Sequence, residues 1–245
     1  MKKLLLSTTI ALSLVTTASA DFIGAEVGYA AWNSSLTGDI RNGGASLDFE
    51  QDLGYGSSET NGFMWAYIDH PLPLLPNIKI QKTNFSDTAT GNIRTATTFN
   101  GTSLAAGSAT TSLTLDQIDV IPYWRILDNW VNLDLGFNVK AIDGSIEIKA
   151  NNTARRDFTV ILPMLYGKAR FDLPFTGLSV EADVSYVSYS GNNVTDIKAG
   201  VVYETSFGLG ATLGYRQQDM TLDDIDDTYG ELNITGAYAG IFYHF

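Results

Sequence analysis

Few residues in this chain could do chemistry, and their positions restrict which chemistry. There are two histidines, His70 and His244, and no cysteine. A Ser or Asp nucleophile needs an imidazole or other base within hydrogen-bond reach. His70 opens the Pro-rich run His70-Pro71-Leu72-Pro73-Leu74-Leu75-Pro76-Asn77, and His244 stands next to Phe245. The first reads as a turn residue, the second as an inward-facing or interfacial one. Five acids crowd one segment: Asp219, Asp223, Asp224, Asp226 and Asp227. Carboxylate oxygens bind divalent cations, but the Gly-centred spacing of a calcium loop is missing. The segment therefore reads as a solvated acidic loop. No catalytic, cofactor-binding or metal-ligating residue is assigned, and no cofactor is expected.

Other charged residues recur at alternate positions: Glu26, Lys79, Asp134, Lys140, Glu181, Asp183, Asp196, Lys198, Glu204 and Arg216. The elements that carry them are strands. From Val131 to Ala141, Val131, Leu133, Leu135, Phe137, Val139 and Ala141 share one face. Asn132, Asp134, Gly136, Asn138 and Lys140 share the other. The same alternation runs through Leu178–Tyr186, Asp196–Glu204 and Phe207–Arg216.

The apolar rows end in aromatics, and the strands run about 10 to 14 residues, enough for a tilted strand to cross a bilayer. Ten are expected, roughly 22–32, 60–70, 76–87, 112–126, 130–143, 156–172, 176–189, 194–205, 207–218 and 231–245. The fold class is all-β: a closed antiparallel up-and-down transmembrane barrel, with eight or twelve strands as alternatives. The connections alternate between short turns and longer polar loops, 33–59, 88–111, 144–155 and 219–230. Short turns belong on the periplasmic side, which puts both termini there. Strand one is read as an arm that can continue from Leu36 to Asp48. Pro122 and Pro163 interrupt their strands, so bulges are expected there. Loop 88–111, rich in Thr, Ser, Ala and Gly, reads as a flexible tip.

Residues 1–20 read as a cleaved signal peptide: Lys2 and Lys3, then an apolar stretch to Val15, then small residues at Ala18 and Ala20, with cleavage after Ala20. Residues 21–245 form the barrel domain. Without Lys2 and Lys3, the remaining 13 basic and 27 acidic residues leave a net charge of -14, which argues against nucleic acid as a partner.

The final strand, Tyr238-Ala239-Gly240-Ile241-Phe242-Tyr243-His244-Phe245, resembles the insertion signal of bacterial barrel proteins. Gly240, Tyr243 and Phe245 match, while Tyr238 stands where a polar residue is usual. The mature chain resembles the small, mostly uncharacterised outer-membrane β-barrel proteins of proteobacteria. That resemblance implies a location in the cell outer membrane and carries no activity. The expected partners are outer-membrane lipid, lipopolysaccharide and the barrel-insertion machinery.

The charged alternate positions face inward, and at this barrel size a side-chain-filled interior is favoured over an open pore. The leading function is non-enzymatic: envelope integrity or narrow-solute passage. The alternatives are an adhesin or receptor acting through loops 33–59 and 88–111, and an enzyme acting on lipid or peptide without histidine. Barrel enzymes such as lipid A deacylases and omptin-type proteases mostly use a His base near the outer rim. Here both histidines map to the periplasmic end.

Overall fold

The computed structural model describes residues 24–72, 74–225 and 227–245. The signal-peptide reading, with Ala18 and Ala20, lies outside them. Thirteen strands follow in chain order: β1 (Gly24–Asn42), β2 (Leu47–Asp48), β3 (Glu59–Asp69), β4 (Asn77–Ile93), β5 (Thr97–Phe99), β6 (Thr102–Leu104), β7 (Gly107–Asp128), β8 (Val131–Lys149), β9 (Thr153–Leu173), β10 (Leu178–Tyr189), β11 (Asn192–Glu204), β12 (Leu209–Ile225) and β13 (Thr228–His244). Ten of them pair in an antiparallel meander that β13 closes against β1, in register from Glu26↔His244 to Asn42↔Thr228. β2 folds back on β1, and β5 with β6 makes a separate small hairpin. A closed sheet leaves no unpaired edge, the condition for spanning lipid with strands.

All ten barrel strands fall where alternation placed them, but seven are longer. β1, β4, β7, β8, β9, β12 and β13 run 17 to 22 residues. Crossing the hydrocarbon takes about 10, so these strands continue roughly 23 to 40 Å further at about 3.3 Å per residue. The extensions form a collar at the end opposite the short turns. Three expectations change as a result. Loops 144–155 and 219–230 shrink to tight turns, because β8, β9, β12 and β13 run through them. Segment 88–111 is no loose tip: β4 and β7 pair as far as Ile93↔Gly107, and Phe99 and Leu104 of the intervening hairpin are buried.

The two prolines are accommodated without bulges. Register is unbroken through Val139↔Pro163, and Pro163 sits where β9 parts from the shorter β10, whose last pair is Leu165↔Tyr186. At Pro122 the β7–β8 ladder skips from Val120↔Val139 to Tyr123↔Gly136 with no change of register. Gly136 permits this: a Cβ there would meet the Pro122 carbonyl oxygen at 2.2 Å. The one register shift in that pair lies between Arg125 and Leu127.

Each long strand reverses its amphipathicity along its length. On β7 the outward residues Val120 and Ile118 are apolar, then Asp116, Thr114 and Ser112 are polar. The inward residues do the opposite, from Asp119 and Gln117 to Leu115, Leu113 and Ala109. β8 reverses between Ala141 and Asp143, β9 between Ile161 and Thr159, and β13 between Ala237 and Thr235. Inside the membrane the solvent is outside the barrel and apolar. Above it the solvent is water, so the apolar side turns inward to form a core.

Candidate functional site

Three layers fill the lumen from the collar end downward. The first is an apolar core. Trp32, Leu36 and Ile40 of β1, Phe85 and Ile93 of β4, Leu113 and Leu115 of β7, and Ile146 and Ile148 of β8 all point into it and are buried. The segment between β1 and β3 turns into the collar mouth and plugs it. Leu47, Phe49, Leu53 and Tyr55 are buried there, with Phe49 and Tyr55 edge to face at 5.6 Å. The Phe49 amide donates to the Gly38 carbonyl at 2.9 Å, and the Tyr55 hydroxyl donates to the Thr111 carbonyl at 3.1 Å. Burial pushes the Tyr55 phenol pKa upward. The plug is held by an ion pair: Arg94 Nε and Nη2 reach the two carboxylate oxygens of Asp52 at 2.8 and 3.0 Å.

The second layer is a polar septum. Lys140 and Arg216 are both fully buried, at 0% side-chain exposure. Lys140 Nζ lies 2.8 Å from Asp119 and 3.1 Å from Asp196 and donates to Gln117 at 3.0 Å. Arg216 grips Asp196 with Nε at 3.0 Å and Nη2 at 2.8 Å, and donates to Thr83 at 3.0 Å. Its guanidinium carbon lies 4.9 Å from the ring centres of Trp32 and Phe63. Gln218 donates to Gln117 and to Asp196, each at 2.9 Å. Two cations and two carboxylates balance, so the layer holds charge out of water without an excess of either sign. It draws on β1, β3, β4, β7, β8, β11 and β12, and so crosses the lumen.

The third layer is a vestibule open at the short-turn end, about 280 Å³ in volume. Tyr67, Tyr123 and Tyr166 line it, with Arg125 bridging Asp69 at 2.8 Å and Asp134 at 3.2 Å. Above it, Lys79 and Lys198 share Asp183, and Glu26 accepts from Trp65 and Tyr67.

The inward parity named Lys140, Asp196 and Arg216 correctly, together with Lys79, Asp134 and Glu204 of the vestibule, but not its Asp69 and Arg125. It missed Asp119, Gln117, Thr83 and Gln218, which share that parity on β4, β7 and β12. Nothing local marks Asp52 and Arg94, whose contact spans 42 residues of chain. The histidines lie at the short-turn end. His70 Nε2 is 3.1 Å from the Pro76 carbonyl, and His244 Nδ1 is 3.1 Å from Glu204. Asp219, Asp223 and Asp224 are strung along β12 and Asp227 lies in the turn after it, and no three acids converge among the described residues. At the terminal strand, Tyr243 and Phe245 point outward with their rings edge to face at 4.7 Å. Tyr238 points inward onto Phe63 at 5.4 Å, and Gly240 packs against Ala30 of β1. The collar also bears a shallow outer cup of about 600 Å³, where Arg41 lies 4.3 Å over the Tyr229 ring.

A closed meander with an apolar outer belt and an aromatic-ended closing strand defines an outer-membrane β-barrel protein, placed in the cell outer membrane. No family model matches the sequence, and no curated protein matches it. Among solved structures the chain is similar to the outer membrane protease OmpT from Escherichia coli, with a TM-score of 0.56 at 10% identity. That match covers 94% of this chain and 99% of the other. The translocator domain of the autotransporter NalP from Neisseria meningitidis aligns with a TM-score of 0.41 at 11% identity, over 93% of this chain and 90% of that one. At these identities the likeness is one of fold.

Proposed function

We propose that this chain is a non-enzymatic, non-conducting barrel that serves envelope integrity, with its collar standing outside the cell. The observation that carries this reading is the septum: Lys140 and Arg216 are buried across the lumen in ion pairs with Asp119 and a shared Asp196, beneath a plugged apolar core. A hydrated solute path would have to break both layers. The vestibule is then a blind pocket facing the periplasm. Although OmpT is a protease, the two histidines here sit at the opposite end from the collar, which supports a non-catalytic role. Partners on this reading are outer-membrane lipid and lipopolysaccharide along the belt, and the insertion machinery through the last strand. The chain belongs on this view with the small proteobacterial barrels. A second reading, surface contact by the collar, is favoured by the open Arg41–Tyr229 cup.

Planar-bilayer recordings on refolded protein test the proposal. The expected result is no stepwise conductance. Steady single-channel steps from the wild-type chain would replace the sealed-barrel reading with solute passage.

A further inference from the structure

The outward belt of the barrel carries a single charge among the described residues. On β4 the outward residues are Ile78, Ile80 and Lys82, after which Asn84, Ser86 and Thr88 are polar. Lys82 is in register with Met64 on β3 and with Ile118 on β7, both exposed apolar side chains. Tyr29 is the next residue of the same row, paired with Met64, and its side chain packs over Gly62, where a Cβ would lie 2.5 Å from the Tyr29 hydroxyl. An ionisable residue in a lipid-facing row is costly, and it persists where it meets a partner. Lys82 makes no ion pair with any described residue. Asp116, a carboxylate one row above, accepts from the Asn84 amide at 2.5 Å. The flexible four-carbon stem of Lys82 is long enough to carry its ammonium to the level where apolar belt gives way to polar wall.

We propose that Lys82 and Tyr29 form a docking site for the phosphorylated headgroup of an outer-leaflet glycolipid. The proposal rests on the outward orientation of the collar given above, and it is independent of whether the lumen conducts. Three features select this occupant. The site is cationic and unpaired, so it calls for an anion. It is flanked below and on both sides by Ile80, Met64 and Ile118, so the anion must bring acyl chains with it; free phosphate would leave those surfaces bare. Directly above rises a sheet wall whose register rows are polar: Asn84↔Asp116↔Asp143, then Ser86↔Thr114↔Ser145. Hydroxyl, amide and carboxylate groups at strand spacing match the hydroxyls of a sugar backbone, whereas a glycerophospholipid headgroup would leave the upper row without a partner.

Native mass spectrometry of the full mature protein in detergent tests this, with bisphosphorylated lipid A, its dephosphorylated form and phosphatidylglycerol as probes. Heat-modifiable gel mobility first establishes that each variant is folded. Wild type should retain bisphosphorylated lipid A. Lys82→Gln should weaken that retention by about tenfold, as expected for loss of a charge-assisted contact, and Lys82→Arg should keep it. Lys149→Gln, higher on the wall and already paired with Glu147 at 2.6 Å, should leave retention unchanged. Removing the phosphates should reduce wild type to the level of Lys82→Gln. Equal retention by wild type and folded Lys82→Gln would overturn the site. Equal retention of phosphatidylglycerol and lipid A would overturn the choice of a glycolipid. Neither outcome alters the conductance result.

Discussion

Arg94, just past the end of β4, clamps Asp52 of the plug with two parallel N–H···O contacts at 2.8 and 3.0 Å, and its own backbone amide donates to the same carboxylate at 3.1 Å. The side-chain contacts from Arg94 are the chief reason that the Asp52 carboxyl is held down at about 2 from an ordinary 3.8, with burial opposing them. A carboxyl lowered in the folded state contributes stability that is complete above its ordinary pKa and is lost as pH falls through about 2. The plug should therefore stay latched through neutral and mildly acidic pH and loosen only between roughly pH 4 and 2. Because the Arg94 side chain is more than half exposed, high salt should weaken the clamp as well.

Asp52→Asn should release the plug without unfolding the barrel, at a cost of about 1 kcal/mol. Limited proteolysis of intact cells reads this out as faster cleavage within 50–56, with heat-modifiable mobility retained. Equal protection in wild type and variant would mean that the apolar contacts of Phe49, Leu53 and Tyr55 hold the plug unaided.

Gly91 and Gly54 bring the plug backbone against β4. A Cβ on Gly91 would lie 2.4 Å from the Asp52 carbonyl oxygen and 2.5 Å from the Gly54 nitrogen. Neither atom can step aside as a flexible side chain would. Gly91→Val should displace the plug with a loss of about 1–3 kcal/mol and no change of charge. Hydrogen exchange of the Leu53 and Tyr55 amides should accelerate. Unaltered protection would count against this packing.

In the septum, Lys140→Met leaves Asp119 buried without its cation. Removing one partner of a buried pair costs about 3–5 kcal/mol. The double variant Lys140→Met with Asp119→Asn should recover part of that, because it removes the orphaned charge as well. Urea unfolding in lipid vesicles compares the two, and additive losses would argue that Lys140 and Asp119 do not interact.

Leu135 and Asp134 are neighbours on β8 that point to opposite faces, one to lipid and one to Arg125. Leu135→Arg should destabilise insertion by about 2–4 kcal/mol, as a charge near the bilayer midplane does. Asp134→Asn should cost less, since Arg125 keeps Asp69. Equal folding yields into bilayers would contradict the assigned faces.

The closing strand supplies the last prediction. The Phe245 amide donates to the Ala25 carbonyl at 2.7 Å, and the rings of Tyr243 and Phe245 meet edge to face on the outer surface. Replacing both by Ser should lower outer-membrane levels and leave chain in the periplasm, as fractionation would show. Normal levels would remove the role assigned to this strand in insertion.

The sequence by itself determined strand positions, strand faces and the closing strand, because alternation in a lipid belt is a local property with a period of two. Val131 to Ala141 is legible without any partner, and so is the inward parity that carries Lys140 and Arg216. The collar was not legible in the same way. Past Lys82 the outward row becomes Asn84, Ser86, Thr88 and Thr90, while the inward row becomes Phe85, Asp87, Ala89 and Gly91, so the contrast fades and its phase reverses. Such a stretch reads as loop until the tertiary structure supplies water outside and an apolar core within. Tertiary structure alone decided that Asp52 meets Arg94, that Gly91 meets Gly54, and that side chains from seven strands meet across the lumen. Those contacts join residues far apart in the chain, and only closure of the barrel brings their faces together.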